Sequence, residues 1–138
     1  MLDRVESITR DFDRALVLGG GPGLLEDLAL RPAAAKIGWL AQSDVAPAVA
    51  AGLGRPALAI DEEQLPIADQ SLDLVLAPLN LHWTNDLPGV LVQINRALKP
   101  DGFFAGALFG GSSLTELRQA LMTAENELTG GGSARVSS

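Results

Sequence analysis

The run Ala15-Leu16-Val17-Leu18-Gly19-Gly20-Gly21-Pro22-Gly23-Leu24-Leu25 constrains this chain more than any other segment. An apolar stretch ends in glycines, and apolar residues then resume at helical spacing. That succession predicts a buried strand, a tight backbone turn and a helix. Glycines at such a turn let a large ligand, commonly a nucleotide, lie against bare main chain. Gly19, Gly21 and Gly23 make GxGxG, whereas the dinucleotide fingerprint GxGxxG needs a glycine at position 24, where Leu24 stands. The same turn can also serve only to pack strand on helix, and the loop alone does not separate the two roles.

The rest of the chain repeats the alternation. Strands are expected at about 15–19, 37–41, 57–60, 72–77 and 103–109. Helices are expected over 2–13, with Leu2, Val5, Ile8 and Phe12 on one face, and over 22–30, 45–53 and 86–98. A further helix starts at Ser112 or Ser113 and ends near Leu128. Lys99-Pro100-Asp101-Gly102 reads as a turn. Nearly continuous apolar strands between helices imply an α/β fold, a mostly parallel, doubly wound sheet covered on both faces. Residues 1–129 are read as one domain and 130–138 as a flexible Gly/Ser tail.

Bulk properties exclude several classes. A chain of 138 residues, 47% hydrophobic, holds one packed domain. The net charge is −7 and the ten basic residues are scattered, so neither nucleic acid nor an anionic membrane surface is an expected partner. No apolar run is long enough to span a bilayer. Without cysteine there is no disulfide, thiolate metal site or thiol nucleophile, and no metal-ligand spacing appears. Met1 to Arg14 lacks the apolar centre of a signal peptide, and a cytoplasmic location is expected.

In a parallel sheet the ligand lies beyond the carboxyl ends of the strands. The glycine turn there offers backbone amides and a helix N-terminus to a carboxylate. The spacing leans away from NAD and toward S-adenosylmethionine. Asp44, after the second strand, either accepts from both ribose hydroxyls or caps the next helix. Asp61, after the third strand, either accepts from an adenine amino group or belongs to a solvated acidic loop with Glu62 and Glu63. After the fourth strand comes Pro78-Leu79-Asn80-Leu81-His82-Trp83. His82, the lone histidine, is a packing or loop residue or a weak acid–base candidate with no evident partner. Trp83 packs at the ligand pocket or under the following helix.

These residues carry a likeness. ALVLGGGPG, SDVAPAV, DEEQLPIADQSLDLVLAPLNLHW, NDLPGVLVQINRALKPDGFFAGALFGG and LTELRQALMTAENELTGG together cover nearly the whole chain. The chain resembles class I S-adenosylmethionine-dependent methyltransferases. More narrowly, it is similar to the branch of the biotin-pathway malonyl-carrier-protein methyltransferase and the methyltransferase-type assembly factor of mitochondrial complex I. The resemblance implies a Rossmann-like sheet of about five strands in the order 3-2-1-4-5, with S-adenosylmethionine as cofactor. It places Gly19, Gly20, Gly21 and Gly23 at the methionine part of the cofactor, Asp44 at ribose, and Asp61 and Glu62 beside adenine. Leu79 and Asn80 then lie near the methyl group and the substrate.

Two departures matter. The family usually has an acid two residues before the first glycine, where Val17 stands; losing that acceptor costs roughly 1–3 kcal/mol of cofactor binding. Relatives also continue into an antiparallel strand pair that this chain lacks. An apolar fifth strand at the sheet edge is prone to associate, so a homodimer or a docked partner along that edge is expected. The function expected is methyl transfer to a small-molecule or protein acceptor. Alignment and desolvation carry that reaction without a strong base. The rival is a catalytically inactive methyltransferase fold serving as an assembly or interaction module. A NAD-linked oxidoreductase is a third and weaker reading, because the glycine spacing is wrong.

Overall fold

The structure, a computed structural model, describes residues 1–44 and 56–109. The helix expected over 45–53, the one starting at Ser112 or Ser113 and the 130–138 tail lie outside the described residues. Residues 1–108 belong to one unit, and its centre is a five-stranded sheet in the order β3-β2-β1-β4-β5. The strands are β1 (Phe12–Leu18), β2 (Ile37–Asp44), β3 (Ala57–Ala59), β4 (Leu72–Pro78) and β5 (Leu98–Ala107). Every pairing is parallel. This is the Rossmann-like order expected above.

The apolar runs explain the sheet's two faces. Along β1 the side chains alternate. Ala15 and Val17 enter one core with Leu2 and Val5 of α1 (Leu2–Glu6) and Leu28 of α2 (Gly21–Ala29). Leu16 and Leu18 enter the other with Val90, Ile94 and Ala97 of α3 (Leu87–Ala97). β1 and β4 are therefore buried on both sides, which is why they read as unbroken hydrophobic segments. Asp86 caps α3 by accepting from the Gly89 N–H at 3.0 Å.

Three expectations about boundaries change. The helix read over 2–13 stops at Glu6, and Phe12 opens β1, fully buried. Its apolar spacing fits a helix by coincidence; Phe12 pairs with Ile37 in the sheet. The second strand runs three residues further than the apolar pattern, because Gln42 and Ser43 are buried and hydrogen-bonded. Gln42 Nε2 donates to the Gly19 carbonyl at 2.8 Å and the Ser43 hydroxyl to the Val17 carbonyl at 3.4 Å. The turn read over 99–102 is a bulge inside β5. Leu72 pairs with Leu98 and Leu74 with Phe103, so the residues between them loop out of register.

Asp73 is a buried carboxylate at the start of β4, the end of the sheet away from the glycine turn. It accepts from Lys99 Nζ at 3.1 and 3.2 Å and from the Arg14 N–H at 3.0 Å. Burial pushes its carboxyl up, but the Lys99 and Arg14 hydrogen bonds and the Lys99 and Arg10 charges outweigh that and hold it below its ordinary value. A depressed folded-state value means stability that is present above the ordinary carboxyl value of 3.8 and lost as pH falls through the lower folded value. Asp73→Asn is expected to cost about 1.5–3 kcal/mol in urea unfolding at pH 7. The gap between variant and parent should narrow as pH drops below about 4; a gap that stays constant to pH 2 contradicts this account.

Candidate functional site

The carboxyl ends of β1, β2, β3 and β4 open onto one crevice of about 560 Å³. Its walls include Gly19, Gly20, Asp44, Asp61, Glu62, Glu63, Leu79, Asn80 and Trp83. Seven of the residues singled out from sequence (Gly19, Gly20, Asp44, Asp61, Glu62, Leu79 and Asn80) thus line a single space.

The glycine turn is built as its sequence requires. Gly19 has φ +71° and Gly20 φ +90°, a region costly for any residue with a Cβ. The Gly19 N–H donates to the Ser43 carbonyl at 2.8 Å, so the tip of β1 is tied to the tip of β2. A Cβ on Gly20 would lie 2.8 Å from Pro78 Cγ and 2.9 Å from Leu24 Cδ2. Gly20 is the N-cap of α2, and Gly21 is its first residue. Gly23 differs from the others: it is exposed in the first turn of α2, with nothing within 4 Å of where a Cβ would point.

Asp44 ends β2, half-buried, and its carbonyl accepts from the Ile60 N–H at 3.1 Å, which holds the 60–65 loop beside it. Asp61 is exposed and its carboxylate accepts from the Glu63 N–H at 2.9 Å, closing a tight turn. Glu62 is buried and accepts from Asn80 Nδ2 at 3.0 Å. The other oxygen-bearing end of that amide, Asn80 Oδ1, is buried without a hydrogen-bond partner. Leu79 holds φ +54°, which a branched side chain rarely adopts, and its N–H donates to the Ala107 carbonyl at 2.8 Å. His82 falls in the 3-10 turn Leu81–Trp83, between Leu81 in the core and Trp83 on the crevice wall.

One positioning residue was not visible in the sequence. Gln93 of α3 donates from Nε2 to the Glu63 carbonyl at 2.7 Å and accepts from the Leu65 N–H at 2.9 Å. It clamps the acidic loop to the helix, yet in sequence it is one polar residue among several on an amphipathic helix.

The lining carries Asp44, Asp61, Glu62 and Glu63, and no lysine or arginine among the described residues. Such a wall suits a cationic ligand and opposes phosphates. Val17 is fully buried in the core with Leu28, Leu74 and Leu76, and offers no acceptor to the crevice. Among the described residues, no group of three or more histidines, aspartates or glutamates is placed to hold a metal ion.

A family model for the methyltransferase domain matches residues 16–106. This chain belongs to the methyltransferase domain family. Over 140 aligned residues the methyltransferase-family chain is 42% identical to arginine-hydroxylase NDUFAF5, mitochondrial, of Rattus norvegicus. The alignment covers 98% of this chain and 40% of that protein. The malonyl-(acyl-carrier protein) O-methyltransferase of Xylella fastidiosa is 43% identical over 65 residues, 47% of this chain and 22% of its own. In fold, the domain is similar to an S-adenosylmethionine dependent methyltransferase from Mesorhizobium loti. The TM-score is 0.62 at 21% identity, over 76% of this chain and 50% of that one. The alignments thus cover less than half the length of the Rattus norvegicus and Xylella fastidiosa proteins.

The glycines separate into two kinds. Gly20→Ala is expected to lower stability by about 1–3 kcal/mol through backbone strain and contact with Pro78. Gly23→Ala should leave stability unchanged or raise it by up to about 1 kcal/mol, since alanine is the better helix former. Urea denaturation followed by circular dichroism measures both. Equal effects at the two positions would contradict the geometry.

Proposed function

We propose that this domain binds S-adenosylmethionine along the crevice and transfers its methyl group to a small-molecule or protein acceptor. The observation that carries the reading is the composition of that one wall: a left-handed glycine turn and four carboxylates, with no basic side chain among the described lining residues. S-Adenosylmethionine is a nucleoside with a net positive charge, while a dinucleotide brings phosphates. A unit charge about 7 Å from a carboxylate in water-like surroundings gains roughly 0.6 kcal/mol, and four such terms sum to about 2 kcal/mol before salt screening.

In this reading Gly19 and Gly20 pass the methionine part close to the main chain, and the N-terminus of α2 meets its carboxylate. Asp44 holds the ribose hydroxyls, and Asp61 with Glu62 flanks adenine. Leu79 and Trp83 wall the space where an acceptor approaches. When bound, the cofactor supplies a methyl group on a sulfonium, which leaves as a neutral thioether. The chain's own part is alignment and exclusion of water, so no strong base is required. His82 remains a weak acid–base candidate from its place in the sequence alone.

Val17 favours a second reading, a methyltransferase fold used as an assembly or interaction module. The two part on binding. Calorimetry should give a micromolar dissociation constant for S-adenosylmethionine, weakened by salt more steeply than that of the product S-adenosylhomocysteine, a zwitterion with no net charge. Absence of heat at millimolar cofactor would rule out the first reading and leave the module.

The sheet edge supports a partner. Among the described residues β5 is the terminal strand, and it pairs with β4 on its inner side. We infer that its outer side receives a second copy of the chain. Light scattering should return a dimer at tens of micromolar; a monomer at every concentration would remove this part of the reading.

A further inference from the structure

The connection from Ile60 to Ser71, between β3 and β4, contains no helix and no strand, so its main chain must find partners outside itself. β3 gives it little support: the strand is Ala57–Ala59 and pairs, among the described residues, with β2 alone. The start of the connection is held by the Asp44 carbonyl, and its end by the Gln70 and Ser71 N–H groups, which donate to the Arg96 and Ala97 carbonyls at 2.7 and 2.9 Å. Between those points the main chain is tied to one side chain of α3. Gln93 Nε2 donates to the Glu63 carbonyl at 2.7 Å, and Gln93 Oε1 accepts from the Leu65 N–H at 2.9 Å. The amide thus stands in for the peptide group of a neighbouring strand. A carbonyl only accepts and a peptide N–H only donates, so just one sense of the amide satisfies both. Glu63 has a second tie, in which its carboxylate accepts from Asn85 Nδ2 at 3.1 Å, but that bond is exposed and holds the side chain and not the main chain.

Resting on the function proposed above, we propose that Gln93 is the positioning residue that sets this domain's preference for a 6-amino over a 6-oxo purine. It does so without touching the ligand, since it is absent from the crevice wall that Asp61, Glu62 and Glu63 form. Asp61 sits two residues before the carbonyl that Gln93 holds, and its carboxylate is bonded to the Glu63 N–H at 2.9 Å. Fixing the Glu63 peptide therefore fixes where that carboxylate stands. A carboxylate accepts from the exocyclic amino group of adenine and opposes the carbonyl oxygen that hypoxanthine carries at the same place. Discrimination of this kind needs an acceptor held still; a loop free to shift accommodates either base.

The test compares S-adenosylhomocysteine with S-inosylhomocysteine, which differs only in carrying the 6-oxo base. Calorimetry on the full chain should show the parent binding the adenosyl compound at least about tenfold more tightly. Gln93→Met keeps the length of the side chain and removes both bonds. It should weaken the adenosyl compound at least about fivefold and the inosyl compound less than about twofold, so that the preference collapses. A role confined to stability would weaken both alike. Methionine and glutamate are about as good helix formers as glutamine, so the fold is kept. Should Gln93→Met nevertheless fail to fold, Gln93→Glu retains the acceptor for the Leu65 N–H, sets a carboxylate against the Glu63 carbonyl, and should show the same selective loss. Equal weakening of both ligands, or no weakening of either, would overturn the assignment. A parent that binds the inosyl compound as well as the adenosyl one would overturn it alone and leave the proposed function standing. A parent that binds neither would remove that function and this assignment with it.

Discussion

The peptide at Gly19 is held from both sides by β2. Its N–H donates to the Ser43 carbonyl and its carbonyl accepts from the Gln42 side chain, each at 2.8 Å. Because β1 and β2 are parallel and in register, that pair of bonds places the end of one strand against the end of the next. Asp44 follows Ser43 directly, so its carboxylate arrives beside the glycine turn without any loop to position it. The left-handed conformations of Gly19 and Gly20 then turn the chain into α2 and leave main chain bare toward the crevice. Much of the site rests on this junction: the opening over the strand tips, the contact with Asn80, and the direction of the helix N-terminus.

The acidic loop is held by a different set of bonds. Asp44 fixes its start through the Ile60 N–H, Asp61 folds it into a turn, and Gln93 pins its far end to α3. Glu62 then reaches Asn80 after β4. Four strand ends are thereby joined by hydrogen bonds that all involve polar groups lining or backing one space. A site built this way is preorganised: a ligand does not have to order the loop before it binds. The charged cluster around Asp73, at the other end of the sheet, ties β4 to Lys99 of β5 and to the Arg14 N–H of β1 and serves the fold.

The sequence showed the fold through its buried strands. Leu72 to Ala77 and Ala15 to Leu18 are hydrophobic because both faces of the central strands are covered, and the helices between them carry the matching stripes. The site was legible for a related reason, since residues at strand ends are consecutive with recognisable apolar runs, and the glycine spacing marks the turn. What escaped were features whose signal is not local. Gln42 and Ser43 belong to a strand although they are polar, because their partners come from β1. Phe12 fits the spacing of a helix face and is claimed by the sheet. The Lys-Pro-Asp-Gly sequence has turn chemistry, yet tertiary pairing on both sides makes it a bulge. Gln93 and the half-satisfied Asn80 amide are invisible until the loop and the helix are brought together.

The most direct test of a shared nucleoside crevice is an amide nitrogen–proton NMR titration with S-adenosylhomocysteine. The account predicts that shifts gather at Gly19, Gly20, Asp44, Asp61, Glu62, Leu79 and Asn80. It predicts no change at Trp39 and Leu58, which line a separate groove of about 740 Å³ with Asp13 and Ile67. Shifts confined to that second groove, or split between the glycine turn and residues remote from Asp44 and Asp61, would contradict it.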